Sequence, residues 1–317
     1  MKPGMIVLLV AAALIVTGVL VGVAGLWMKG FEVPSLFGNE VLTTEYGELA
    51  EFTAIRVEDA EADVRLIPSE DGARRVVCRE QVRVPYTVTV ADGTLTVRRN
   101  DLRKWYHHIG IFWEKTEITV YLPKGEYEAL TVTGTVSDVE IPRELSFCKV
   151  DVTVHTGDVR FAGVVRDGIA IETDTGKVAL TDLIAKEVSV KTDTGSVTLR
   201  SGQVEQTVRV QVDTGRVEMG ELQCETLTVE SSTGRQELSG IVAGDRICLK
   251  SSTGDVKLID SDAASLEITT STGDVLVKLL SEKIFVTETS TGGVRVPQGT
   301  SGGICRIKTS TGDIEAY

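Results

Sequence analysis

The chain has 317 residues, 46 acidic and 33 basic side chains for a net charge of −13, and 31 glycines against three tryptophans, six tyrosines and seven phenylalanines. At 42% hydrophobic and 25% charged it can bury a full core, which excludes disordered and collagen-like classes. The acidic balance excludes a sequence-independent nucleic-acid binder, whose phosphate contacts need clustered Lys and Arg.

From Met5 to Trp27 runs MIVLLVAAALIVTGVLVGVAGLW, without a charge. As a helix it would be roughly 34 Å long, so a transmembrane helix is predicted over 5–27. Lys2 precedes it, while Glu32, Glu40, Glu45, Glu48 and Glu51 follow Lys29. The charge bias places residues 1–4 in the cytoplasm and the bulk of the chain outside, as a single-pass protein of the cell membrane. The alternative is a cleaved signal peptide, with Gly22-Val23-Ala24 as its small-residue site. Residues 28–44 read as a linker.

Over 45–125, Arg75 to Val84, Tyr86 to Val90, Thr94 to Arg98 and Glu117 to Leu122 read as strands without a fixed period. They predict an irregular β region that caps the C-terminal part of the chain on the membrane side. Inside it lies NDLRKWYHHIGIFWEK, Asn100 to Lys115, where Trp105, Tyr106, His107, His108, Phe112 and Trp113 crowd together. Two readings stand: contact with lipid headgroups or a protein partner, or a hydrophobic plug over the first coil.

Residues 126–317 repeat. HTGDVRF, DTGKVAL, DTGSVTL, DTGRVEM, STGRQEL, STGDVKL, STGDVLV, STGGVRV and STGDIEA carry turn glycines Gly157, Gly176, Gly195, Gly215, Gly234, Gly254, Gly273, Gly292 and Gly312, spaced 19 or 20 residues apart. Aliphatic pairs follow the glycine at two and four residues (Val178/Leu180, Val197/Leu199) and precede it at seven and five (Ile169/Ile171, Val188/Val190). Each unit is therefore two short strands of period two around a Thr-Gly turn. A unit this small cannot bury its own apolar face, so copies must stack.

The prediction is an all-β, single-chain β-solenoid (β-helix) of about ten coils, each ~4.8 Å above the last. Ser137 takes the glycine's place 20 residues before Gly157, and Ala62 fits the same frame. The glycines are expected to supply positive φ, and the Ser or Asp two residues earlier to bond back to the turn's amides.

The column Glu172, Lys191, Gln211, Glu230, Lys250, Thr269, Glu288, Lys308 predicts a solvated, charge-paired face. Asp174, Asp193 and Asp213 occupy equivalent turn positions, where they cap turns or stack as carboxylates suited to Ca²⁺. The first Thr of each TDT or TST points inward by parity. No nucleophile elbow, P-loop or H-E-x-x-H occurs, so no catalytic, cofactor or metal residue is assigned. Five cysteines, widely spaced and without a C-x-x-C pair, read as apolar fillers, except that alternation turns Cys248 outward. The final repeat, TSTGDIEAY, leaves a strand edge without cover, which predicts self-association there.

The T-[SD]-T-G-[DS]-V-x-[LV] repeats, together with FTAIRVEDAEADVRLIPS, TLTVRRN, the aromatic segment and ITVYLPKG, resemble the bacterial candidate-adhesin family of β-strand-repeat domains, which includes membrane-anchored members of cell-envelope stress operons. The resemblance runs from about Phe52 to Tyr317 and transfers no catalytic or ligand residue. It implies an envelope-associated binding, adhesion or scaffolding module whose partner is an envelope protein or glycan, without cofactor and not an enzyme. The alternatives are a regulatory partner of a membrane-bound envelope-stress sensor and, third, a polysaccharide-acting enzyme.

Overall fold

The computed structural model describes residues 14–22, 24, 41–102 and 115–317. Of the predicted membrane span, residues 14–22 and 24 are described and helical; the rest lies outside the described residues. No helix among the described residues is long and apolar enough to cross a membrane.

The repeat region is a parallel β-solenoid in continuous register. One interior file reads Val178, Val197, Val217, Gln236, Val256, Val275, Ile314, Val294, each paired with the next. A second reads Ile169, Val188, Val208, Leu227, Ile247, Leu266, Cys305, Phe285. The β-branched residues that dominate these files suit a pleated, half-buried surface. Parallel sheets elsewhere are buried on both faces, but here one face meets water, so alternation survives: in Val178–Thr194, Val188, Val190 and Thr192 are buried between exposed neighbours. Gln236 interrupts its file with a polar side chain, fully buried, whose Nε2 donates to Ser231 Oγ at 2.9 Å and the Lys250 carbonyl at 2.7 Å.

Coils do not stack in chain order at either end. Ala54–Ala60 lies directly against Glu126–Val136, with Ile55 beside Leu130. The intervening chain goes outward: Thr94–Arg99 and Glu117–Leu122 add the next parallel layer on Ala54–Ala60 and Asp63–Pro68. Tyr86–Ala91 and Arg75–Gln81 then pair antiparallel on that layer, and Val41–Tyr46 pairs on Arg75–Gln81.

At the far end the last repeat is not the last coil. Ser265–Thr272 pairs with Gly303–Thr311, which in turn pairs with Lys283–Thr291. Val275–Leu279 likewise pairs with Ile314–Ala316, and Val294–Arg295 lies outside both. This corrects the expectation of an open edge at TSTGDIEAY: Ile314 is fully buried between Val275 and Val294. Every repeat offers the same strand pattern, so either segment satisfies the neighbouring coil, and the chain seats the later one inside.

Candidate functional site

Trp105, Tyr106, His107, His108, Phe112 and Trp113 lie outside the described residues. The turn glycines are described, and their main requirement is proximity. A Cβ on Gly215 would sit 1.5 Å from the carbonyl oxygen of Gly195, at φ 151°. Gly176 has no left-handed φ, yet its Cβ would meet the Gly157 oxygen at 1.9 Å.

Among the described residues the turns are not capped by the Ser or Asp two residues before glycine. Aspartates one residue after it accept from the amide one coil further on: Asp138 from Asp158 (2.7 Å), Asp158 from Lys177 (2.9 Å), Asp255 from Asp274 (3.1 Å), Asp274 from Asp313 (2.8 Å) and Asp313 from Gly293 (2.7 Å). The Asp274, Asp313, Gly293 order traces the exchanged coils a second time. Asp174 pairs instead with His155 Nδ1 at 2.8 Å, exposed. Among the described residues no cluster of His, Cys, Asp or Glu could hold a metal ion. The outward charge column pairs as Lys191 with Glu172 (2.6 Å), Lys250 with Glu230 (3.1 Å) and Lys308 with Glu288 (3.0 Å), on an exposed face.

Burial pushes the thiols of Cys78, Cys224 and Cys305 up to about 12. Cys248 points outward by parity but is buried, stacked between Thr228 and Glu267, with Arg246 reaching over to Glu267. Cys148 alone is half-buried. Its thiol donates to Glu126 Oε1 (3.1 Å) and accepts from Arg166 Nη2 (2.8 Å), and desolvation plus the Glu126 bond raise its pKa despite that guanidinium.

A third face, missed from the sequence, carries an open groove. Six residues after the turn glycine, Asp182, Ser201, Glu221, Gly240 and Asp260 adopt positive φ between 48° and 64°, making a second corner. Small, polar or turn-forming residues at that fixed spacing were the available signal. Beyond the corner, Leu183, Leu222 and Ile241 stack inward and fully buried. Outward stands the file Val164, Ile184, Gln203, Gln223, Val242, with Val164, Ile184 and Val242 exposed. Register shifts at Ala162/Val164, Val165/Gly168 and Cys224/Thr226 splay the strands here. The result is an open groove of about 630 Å³, floored by Val164, Ile184, Gln203 and Gln223 and rimmed by Arg166, Lys186, Glu205 and Glu225. At one end Arg166 is held by Glu126 at 2.6 Å.

These features define an all-β protein built as a one-dimensional parallel stack, with an open groove along its third face. The chain belongs to the Toastrack DUF4097 family, whose model matches residues 52–315. Among solved structures, a candidate adhesin from Parabacteroides distasonis is similar at TM-score 0.51 and 13% identity, covering 88% of this chain and 98% of that one, a likeness of fold. A candidate adhesin from Bacteroides fragilis matches at TM-score 0.44 and 16% identity (88% and 97% covered), and a candidate lipid binding protein from P. distasonis at 0.45 and 13% (89% and 99%). No curated protein matches the chain.

Proposed function

We propose that this chain is an adhesion-like binding and scaffolding module of the cell envelope, attached through residues 5–27 with its coils outside the cytoplasm, and that its third-face groove holds an extended polypeptide segment. The uncharged run Met5–Trp27 followed by acidic residues supports the attachment. The groove carries the binding reading. Its floor joins apolar Val164 and Ile184 to two amides, Gln203 and Gln223, on adjacent coils ~4.8 Å apart, which offer donors and acceptors to a main chain laid across them. Its rim offers both signs of charge, and among the described residues no aromatic side chain lines it except buried Phe147, which suits a peptide better than a sugar ring. The candidate adhesin name of the Parabacteroides distasonis neighbour at TM-score 0.51 agrees with such a role.

The test is photocrosslinking in whole cells from position 184, with position 211 on the charged outer face as control. Enrichment of one envelope protein from 184, lost with Gln203→Ala and Gln223→Ala together, supports the reading. Capture of a membrane sensor would make the module regulatory. Equal labelling from 184 and 211 would sink the groove.

A further inference from the structure

We infer that the coil ending at Val294–Arg295 is an interface that pairs with the same coil of a second copy across a two-fold axis. The two ends of the stack differ. At the first, Leu95, Val97, Ile118, Val120 and Leu122 are fully buried because Tyr86–Ala91 and Arg75–Gln81 run antiparallel over them. At the second, the residues after the outermost coil lie against it at Glu282 and Lys283, through Gly299 and Gly302, and its strands beyond Lys283 stay largely open. Val294 continues the file of fully buried Ile314 but is 43% exposed, Phe285 is only partly buried, and outward Ile284 and Val286 (51%) stand where the neighbouring coils carry Ile304 and Arg306.

The backbone is equally incomplete. Through the stack each turn amide donates to the next coil: Gly254 to Thr272, Gly273 to Thr311, Gly312 to Thr291, and likewise Val275 to Asp313 and Ile314 to Gly293. Among the described residues the series stops there, with the amides of Gly292 and Val294 facing the open end. An uncovered strand edge above an uncovered core invites another chain.

Three observations select a second copy. The opposite end is closed by its own antiparallel strands, so head-to-tail stacking into a filament is blocked, and a two-fold pairing of open ends is the closed solution. A two-fold mate presents its coil in reversed sense, the sense in which this chain already covers its other end. Charge does not oppose the approach, although the chain as a whole is at −13. Lys283 is neutralised by Asp262 (2.6 Å), Glu288 by Lys308 (3.0 Å) and Arg295 by Glu315 (2.8 Å), all within one chain. One coil, at 19 or 20 residues, comes to the lower end of the ~20–30 residues a side that stable interfaces use.

This pairing goes beyond the groove reading and is tested separately. The full chain in detergent micelles is followed by sedimentation velocity up to about 100 μM, where even weak interfaces fill. A concentration-dependent doubling of protein mass is expected, weakened about tenfold or more by Val286→Lys with Val294→Lys. Both sites are exposed, so thermal unfolding at concentrations too low for pairing should not move; Lys257→Glu on the lateral face is the control. With Cys148→Ser as background, Val286→Cys should form a disulfide dimer under mild oxidation and Lys257→Cys should not. A monomer at the highest concentration, growth beyond two copies, or association unchanged by the two lysines would overturn the inference.

Discussion

Gly215→Ala tests the stacking most directly. The added methyl would lie 1.5 Å from the Gly195 oxygen, against the 3.0 Å below which real Cβ contacts essentially do not occur. The two coils must therefore part by about 1.5 Å, in a stack spaced ~4.8 Å. That movement breaks the bonds from Gly195 to Thr214 and Val197 to Arg216, both 2.9 Å, and separates the buried pair Val197 and Val217. Two lost hydrogen bonds at ~1 kcal/mol each and an alanine forced to φ 151° at ~1–3 kcal/mol give a destabilisation of about 3–5 kcal/mol. Gly220→Ala, five residues on, is the internal control, since its Cβ would meet nothing closer than 3.8 Å. There a gain of up to ~1 kcal/mol is expected from the stiffer unfolded chain. Urea unfolding by circular dichroism compares the two, and hydrogen exchange locates the loss at the coils flanking Gly215. If Gly215→Ala costs under about 1 kcal/mol, or matches Gly220→Ala, close backbone approach is not what fixes the glycine column.

The ion pair at the open end predicts a pH dependence. Partial burial pushes the Asp262 carboxyl up, but hydrogen bonds from Lys283 and Ser281 and the Lys283 charge outweigh it and hold the carboxyl below its usual 3.8. A depressed carboxylate stabilises above its unfolded pKa and loses that contribution as acid titrates the folded group. Asp262→Asn, which leaves buried Lys283 uncompensated, should cost about 1–3 kcal/mol at pH 7, with the gap to the natural chain closing as acid takes the pH below the usual aspartate range. A gap that persists unchanged in acid would contradict this assignment. For the thiols, maleimide at neutral pH should add one adduct to the native chain, slowly, at half-buried Cys148. The other four become reactive only on unfolding, and native labelling at Cys78 or Cys305 by intact mass would refute their burial.

The stacking was readable because burial in a solenoid has two constraints at once, period two along the strand and a fixed length around the coil. Val178, Val197 and Val217 satisfy both and do share one file. Coil order at the ends was not readable for the same reason: STGGVRV and STGDIEA present interchangeable patterns, so nothing local says which lies inside. The groove escaped notice because its corner is made by non-glycine residues such as Asp182 and Glu221 at positive φ, whose signal is weaker than a glycine's. Cys248 shows where alternation misleads: parity gives the direction of a side chain, while cover depends on Thr228 and Glu267 in adjacent coils. The turn aspartates were misplaced by three residues because the acceptor serves the next coil's amide rather than its own.

The exchanged coils bear on how the chain folds. Residues 283–296 leave the ribosome before 303–317, yet their hydrogen-bonding neighbour is the later segment. While that neighbour is missing, the free edge they meet belongs to Ser265–Leu279, whose valines would accept them one layer out of place. Growth coil upon coil in chain order would therefore seat residues 283–296 where 303–317 belong, so the native order requires that the later segment reach the edge of Ser265–Leu279 instead.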